Sequence, residues 1–252
     1  MAPVSRLDIL IREKRFPAAG AAPAHLALRD VRITARHGEF ICLLGPSGCG
    51  KTTLLNIVAG LDRDYDGQLA LPSVPGGVMP VVGYVFQTPR LLPWRSVRQN
   101  VELVLSEEQR ASGIAEQLLE AAGLTPFLDA YPQRLSLGMS RRVALVRAFA
   151  VRPDLMLLDE PFVSLDEPTA QRLRELLLDL WQARPTTALF VSHNLREAIF
   201  LAERIVVFSA APGRVVADLP LPLTRAERSE PGAVESVREG LLRERPELFQ
   251  GL

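Results

Sequence analysis

The run GPSGCGKT at residues 45–52 constrains this chain more than any other feature, because it matches the pattern G-x-x-x-x-G-K-[S/T]. An apolar stretch at 40–44 predicts a strand directly before it. A helical pattern follows over 52–59 and ends at Gly60, a suitable C′ glycine. In that setting the backbone amides of the loop and of the helix N-terminus point at phosphate oxygens. We therefore predict a phosphate loop that binds a nucleotide.

The loop also carries side chains suited to a nucleoside triphosphate and its metal ion. Lys51 would reach the β- and γ-phosphates, and the Thr52 hydroxyl would be a ligand of Mg²⁺. The predicted nucleotide-binding residues of the loop are Gly45, Pro46, Ser47, Gly48, Cys49, Gly50, Lys51, Thr52 and Thr53.

A pair of acids follows a second apolar run. LMLLDE, at 155–160, predicts a strand that ends in Asp159 and Glu160. Asp159 is placed to hold Mg²⁺ directly or through a water, and Glu160 to polarise an attacking water as a general base. The alternative is that the two acids only cap a nearby helix. Beside a phosphate loop the first interpretation is the stronger one, and it makes the chain a nucleoside triphosphatase.

Short apolar runs alternate with helical patterns along the chain, which predicts an α/β fold with a mostly parallel, buried sheet. Two early runs, at 7–11 and 26–33, predict an antiparallel flap, and the pattern between 97 and 150 is wholly helical. The fold class is therefore an α/β P-loop NTPase core with a mostly parallel sheet, an N-terminal antiparallel β flap and an inserted helical subdomain; this core resembles the RecA-like type. The predicted core strands are 40–44, 81–86, 155–158, 188–192 and 205–208.

Three regions follow from these patterns. The nucleotide-binding α/β core with its flap takes residues 1–88 and 151–215, and the helical subdomain takes 89–150. Prolines and alternating charges mark 216–252 as a tail that packs loosely or serves partners. Within the core we expect a helix over 168–183, with Asp166 accepting hydrogen bonds from its first turn.

Composition argues against several classes of protein. The 29 basic residues are balanced by 29 acidic ones, so attraction to nucleic acid is not expected. The two cysteines, Cys42 and Cys49, are too few for a disulfide scaffold and lack metal-ligand spacing, which favours reduced thiols. The N-terminal residues show no apolar signal segment, and no apolar run is long enough to cross a bilayer. If the protein works at a membrane, a partner must hold it there.

Four further short motifs appear in a fixed order: VFQ ending at Gln87, LSLGM at 135–139, SLD at 164–166 and SHN with His193. Together with the phosphate loop and the acid pair, they resemble the ATP-binding subunits of ABC transporters over residues 5–215. VFQ is similar to the Q-loop of that family, LSLGM to its LSGGQ signature and SLD to its D-loop. His193 is similar to the switch histidine.

The resemblance implies that ATP and Mg²⁺ are bound between two subunits in a head-to-tail dimer. Ser136 and Gly138 of the signature would cover the γ-phosphate held by the other subunit, at the electropositive start of a helix predicted over 140–150. The alternative for Ser136 alone is a simple N-cap, and both roles are compatible. Leu137 departs from the family, which usually has glycine there. Leucine lowers hydrolysis, marks one half of an asymmetric pair, or points away; the sequence leaves all three open.

The other motif residues take their roles from the same resemblance. Gln87 would contact Mg²⁺ and the membrane partner, His193 would contact the γ-phosphate, and Asp166 would shape the subunit interface near the attacking water. With Glu160 these are the predicted catalytic residues. The predicted metal-binding residues are Thr52, Gln87 and Asp159. For adenine the family stacks an aromatic residue of the flap, and Phe16 is the candidate; otherwise Phe16 closes the core of the flap itself.

The pieces RLLPW followed by NV, and RIVVFSAAPGRV, resemble the nitrate/sulfonate/taurine class of bacterial importers. That class implies a homodimer or a pair of ABC ATPases, permease subunits docking near residues 87–94, and a periplasmic or lipid-anchored binding protein. Trp94 would pack against the permease or fill the core. The chain would lie at the cytoplasmic face of the cell membrane. Taurine, nitrate and a pyrimidine precursor stay open as substrates, with an organic sulfonate favoured.

Two other functions are weighed against the importer. A degenerate or regulatory ATPase of an asymmetric pair would explain Leu137, although Glu160 and His193 are both present. A soluble ABC ATPase that handles DNA or ribosomes would need a long coiled-coil insertion or two cassettes, and this sequence has neither.

Overall fold

The computed structural model describes residues 6–18, 20, 23–72 and 78–250. Its strands are β1 (Arg6–Phe16), β2 (His25–Arg36), β3 (Phe40–Leu44), β4 (Asp66–Ala70), β5 (Val82–Val85), β6 (Leu155–Asp159), β7 (Thr187–Ser192), β8 (Arg204–Phe208) and β9 (Val215–Pro220). Its α-helices are α1 (Lys51–Val58), α2 (Val97–Glu102), α3 (Glu107–Ala111), α4 (Ile114–Ala121), α5 (Leu137–Ala150), α6 (Glu167–Ala183), α7 (Leu195–Leu201) and α8 (Ala233–Glu244). The chain forms two compact units, Met1–Pro80 with Thr187–Leu252 and Val81–Thr186.

The first unit contains the strand that leads into the phosphate loop. Strand β3 lies between β7 and β8 and is parallel to both, with Ile41 opposite Leu189 on one side and Arg204 on the other. Every residue of β3 and β7 is buried, as strands covered on both faces require. Strand β9 pairs antiparallel with β8 at the edge. The α/β class with a mostly parallel core is confirmed.

The antiparallel flap of the first unit is also confirmed, with one strand more than predicted. Strand β1 pairs with β2 on one side and with β4 on the other. Leu7, Ile9 and Ile11 alternate with more exposed neighbours, so one face of the flap is apolar. Strand β1 continues to Phe16, five residues beyond the end of the predicted run at 7–11.

The described part of the predicted tail is ordered by pairing and packing. The predicted boundary at residue 216 falls inside β9, which continues the sheet. Helix α8 packs against α7, and Phe249 beyond it is buried. The alternating charges of this segment led to the prediction of a loosely packed tail, whereas residues Ala233–Glu244 form the amphipathic helix α8.

The second unit is organised around α5. Strands β5 and β6 are parallel, and α2, α4 and α6 all pack against α5. Helix α5 begins at Leu137, three residues before the predicted start at Ser140, because Ser136 caps it: the Ser136 hydroxyl accepts the Met139 amide at 3.2 Å. Among all the described residues, no helix is both long and apolar enough to cross a bilayer.

Candidate nucleotide-binding and hydrolysis site

The phosphate loop joins β3 to α1 in the first unit. Gly48 and Gly50 have φ of +78° and +95°, a left-handed conformation that side chains with a Cβ disfavour. A Cβ on Gly45 would lie 2.9 Å from the Cβ of Phe208. The first-turn amides of α1 have no acceptor inside the helix, so this backbone is shaped to receive an anion.

The loop packs against Leu28 of the flap and against Gly213, in the turn between β8 and β9. A Cβ on Gly50 would lie 2.6 Å from Cδ2 of Leu28 in β2, and one on Gly213 would lie 1.9 Å from the Cys49 carbonyl oxygen. The Gly213 amide donates to Ala27 at 2.9 Å. Sequence reasoning missed Leu28 and Gly213, since neither belongs to a phosphate-binding motif.

The Lys51 side chain folds back over the loop and is only 5% exposed. Its Nζ donates to the carbonyl oxygens of Gly45 at 2.6 Å and Pro46 at 2.8 Å. A positive charge is thereby held within the loop, next to the backbone that shapes it. Both Cys49 and Cys42 are buried free thiols, and burial raises the pKa of Cys42.

The acid pair lies at the end of β6 in the second unit. Asp159 is 4% exposed, while Glu160 is half-buried and has a left-handed φ of +44°. The Gln87 side-chain amide donates to the Glu160 carboxylate at 3.1 Å. Burial and the nearby Asp159 charge raise the pKa of Tyr84. Two residues predicted from separate motifs, Gln87 and Glu160, are therefore in direct contact.

The signature residues form the first turn of α5. Leu137 is 43% exposed and has no positive φ, so its backbone does not need glycine. Of the three possibilities left open for this residue, an outward-pointing side chain fits the structure. Gly138 is different, because a Cβ there would lie 2.5 Å from Cγ2 of Thr169. Packing against α6 therefore requires glycine at 138.

Asp166 is the N-cap of α6, as predicted, and accepts the Thr169 amide at 3.0 Å. Hydrogen bonds from the Thr169 side chain and backbone lower the pKa of the Asp166 carboxyl. One threonine thus contacts the D-loop acid and lies against the signature glycine.

His193 follows β7 in the first unit and is exposed. The next residue, Asn194, caps α7 by accepting amides through its side chain. His193 lines an open groove together with Arg196 of α7 and with Arg238 of α8. The sequence analysis did not predict that α8 lines this groove, because it identified no functional motif in residues 216–252.

Phe16 ends β1 with a half-buried ring. The ring stacks on His25 at a centroid distance of 5.1 Å, and Lys14 Nζ lies 4.6 Å from its centroid. Contacts inside the flap therefore account for this aromatic, and its role toward adenine stays a prediction. Trp94, by contrast, is 69% exposed and does not fill the core.

Comparisons with known proteins agree with this arrangement. The sequence profile of the family described as "ABC transporter" matches residues 28–163. The aliphatic sulfonates import ATP-binding protein SsuB of Bacillus licheniformis is 38% identical, covering 94% of this chain and 93% of that protein. A putative ATP-binding protein of Brucella abortus is 41% identical over 82% and 83%.

A solved structure is similar along the whole of its own chain. The ATP-binding cassette MJ0796, in a dimeric post-hydrolysis state bound to ADP and Pi, has a TM-score of 0.73 and 30% identity, and covers 86% of this chain and 100% of that one. The profile spans more than half of the residues, and the relatives align along most of the sequence. The chain therefore belongs to the ABC transporter family.

Proposed function

We propose that this chain is the ATP-hydrolysing subunit of a bacterial importer whose substrate is an aliphatic sulfonate. The observation that supports ATP binding is the structure of the phosphate loop before α1. Gly48 and Gly50 have left-handed conformations, and the Lys51 ammonium donates to the Gly45 carbonyl of the same loop. The substrate class is supported by the names of relatives such as the SsuB proteins of Bacillus licheniformis and Bacillus subtilis.

The residues fit Mg²⁺ and a triphosphate. The Thr52 hydroxyl, the Asp159 carboxylate and the Gln87 side-chain oxygen are hard oxygen ligands of the kind Mg²⁺ prefers. When bound by these residues, Mg²⁺ would neutralise negative charge on the nucleotide phosphates. Lys51 and the loop amides bind the phosphate oxygens, and Glu160 accepts the proton of the attacking water. Gln87 orients the Glu160 carboxylate through its amide hydrogen bond.

Two copies, or this chain and a related ATPase, close head to tail over the nucleotide. The Ser136 hydroxyl and the Gly138 amide, at the N-terminus of α5, approach the γ-phosphate of the partner subunit. Asp166 shapes the interface beside the water, and His193 contacts the γ-phosphate held by its own chain. The dimeric state of the MJ0796 cassette supports this arrangement.

Permease subunits dock near residues 87–94, where Trp94 offers an exposed indole ring. The chain is then held peripherally at the cytoplasmic face of the membrane, and the binding protein delivers substrate from the other side. The second candidate function is a catalytically silent member of an asymmetric pair. Leu137 is the one residue that favours it. The helical, exposed position of Leu137 weakens that support.

The proposal is tested by uptake and ATP binding together. In cells expressing this chain with its permease and binding protein, Lys51→Ala should abolish both ATP binding by the purified chain and uptake of a labelled alkanesulfonate. Unlabelled alkanesulfonate should compete in the wild type, and nitrate should not. Sulfonate uptake that persists in Lys51→Ala would contradict the motor role. Competition by nitrate alone would contradict the substrate.

A further inference from the structure

Arg141, in the second turn of α5, is aimed at the turn that follows β6. Its side chain is 5% exposed. Nη1 donates to the carbonyl oxygens of Glu160 at 3.2 Å and Pro161 at 2.5 Å, and Nη2 donates to Val163 at 2.7 Å. One guanidinium therefore holds three carbonyls of the backbone that carries Glu160.

That backbone needs external support. Glu160 and Ser164 have φ of +44° and +62°, which residues with a Cβ adopt reluctantly. The hydrogen bonds within the turn are long, from the Val163 amide to Glu160 and from the Leu165 amide to Phe162, both 3.3 Å. The shorter bonds to the turn come from Arg141, so α5 supplies much of what keeps the turn in its shape.

The chemistry of arginine suits this task and explains why a smaller group would not replace it. A planar guanidinium has five donors in a fixed fork, so it reaches several carbonyls at once, whereas an ammonium is a single point. The burial of this charge is costly: it lowers the pKa of Arg141 and leaves the Nε without a hydrogen-bond partner. A buried arginine that donates only to backbone carbonyls is suited to fixing the position of that backbone.

We propose that Arg141 is a positioning residue for hydrolysis, which fixes the peptide after Glu160 and so aims the Glu160 carboxylate. This inference rests on the proposed role of Glu160 as general base. The carboxylate is oriented from two sides, by the backbone that Arg141 holds and by the Gln87 amide at 3.1 Å. Because Arg141 lies in the helix that begins with the signature residues, it joins the signature to the base within one unit.

The test compares steady-state ATP hydrolysis and thermal unfolding of the wild type, Arg141→Met and Arg141→Lys. Displacing a catalytic group slightly can lower the rate by about 10-fold to 100-fold, and we expect a kcat loss of that order in Arg141→Met with KM for ATP little changed. Arg141→Lys keeps a donor and the charge and should be intermediate. It also carries the comparison if Arg141→Met fails to fold.

Arg142→Met is the matched control. Arg142 is the next residue of α5 and also donates to a carbonyl, that of Ala122 at 3.0 Å. Ala122 lies outside the turn that follows β6. The Arg142→Met variant should unfold at a lower temperature than the wild type, with an unchanged kcat for ATP hydrolysis. Equal losses of kcat in the Arg141 and Arg142 variants would overturn the proposal, since general destabilisation would then account for both.

The double variant with Glu160→Gln separates a failure of this inference from a failure of the proposed function. If Arg141 acts through Glu160, Arg141→Met should not lower the residual single-turnover rate of Glu160→Gln any further. A further loss of the same size would overturn the positioning role. Wild-type hydrolysis in Glu160→Gln itself would instead overturn Glu160 as the base.

Discussion

Gln87 and Glu160 are joined by a hydrogen bond of 3.1 Å from the side-chain amide to the carboxylate. The first lies after β5, in the segment proposed to dock the permease, and the second lies at the end of β6. A displacement of Gln87 therefore changes the orientation of the proposed general base directly. The hydrogen bond between Gln87 and Glu160 would then be sufficient to couple docking of the permease to ATP hydrolysis.

The first prediction concerns Glu160→Gln. The amide keeps the size of the side chain but cannot take a proton, so ATP binding should persist while hydrolysis falls about 100-fold or more. Binding is measured by calorimetry and hydrolysis by phosphate release. Glu167→Gln makes the same chemical change at an exposed acid paired with Arg174, and it should hydrolyse ATP at the wild-type rate. Equal rates in both variants would remove Glu160 from the mechanism.

A second prediction separates the two neighbouring signature positions. Leu137→Gly should leave turnover within about twofold, because the helical backbone at 137 already suits a side chain. Gly138→Ala should lower the free energy of unfolding by about 1–3 kcal/mol, since the added methyl meets Thr169. Denaturant unfolding and ATP turnover are measured on both. A large gain of activity in Leu137→Gly would favour the silent-site candidate.

The third prediction is an ATP-dependent change of mass. Glu160→Gln, which should trap ATP, is expected to be monomeric alone and dimeric with Mg²⁺ and ATP, as measured by light scattering. The same variant carrying Lys51→Ala should stay monomeric because it cannot bind the nucleotide. A monomer under saturating ATP would mean that closure needs the permease or a different ATPase partner.

The fourth prediction concerns pH. Bonds from Thr169 lower the pKa of Asp166 in the folded chain, so the charged carboxylate stabilises the cap of α6 above the unfolded pKa of about 4. That contribution is lost as the pH falls through the lower, folded pKa. Asp166→Ala should therefore unfold at a lower temperature than the wild type at pH 7, and the difference should shrink in acid. A constant difference would exclude the charged cap.

The core strands were predictable because their signal is local. The runs at 40–44 and 155–158 are continuously apolar and lead directly into charged motifs, and β3 and β6 occupy nearly the same residues. Gln87 and Glu160 were predicted separately from short motifs. Their direct contact could not be predicted, because 73 residues separate them in the chain.

Other features depend on partners that are distant in the chain. Strand β4 has little apolar pattern of its own and exists through its pairing with β1. The start of α5 was placed too late because Gly138 is a poor helix former, and its fit against Thr169 is a tertiary contact. Arg141 was passed over for the same reason: its role depends on three carbonyls some twenty residues away.

The close packing of Leu28 against Gly50, and of Gly213 against the Cys49 carbonyl, bears on how the phosphate loop opens. Because a Cβ would not fit at either glycine, we expect the loop to move together with β2 and the Gly213 segment. The amide protons of the loop and of β2 should therefore exchange with solvent at similar rates, as one cooperative unit. Substitutions in the flap, although distant from the phosphate loop in the sequence, would then change how often the loop opens.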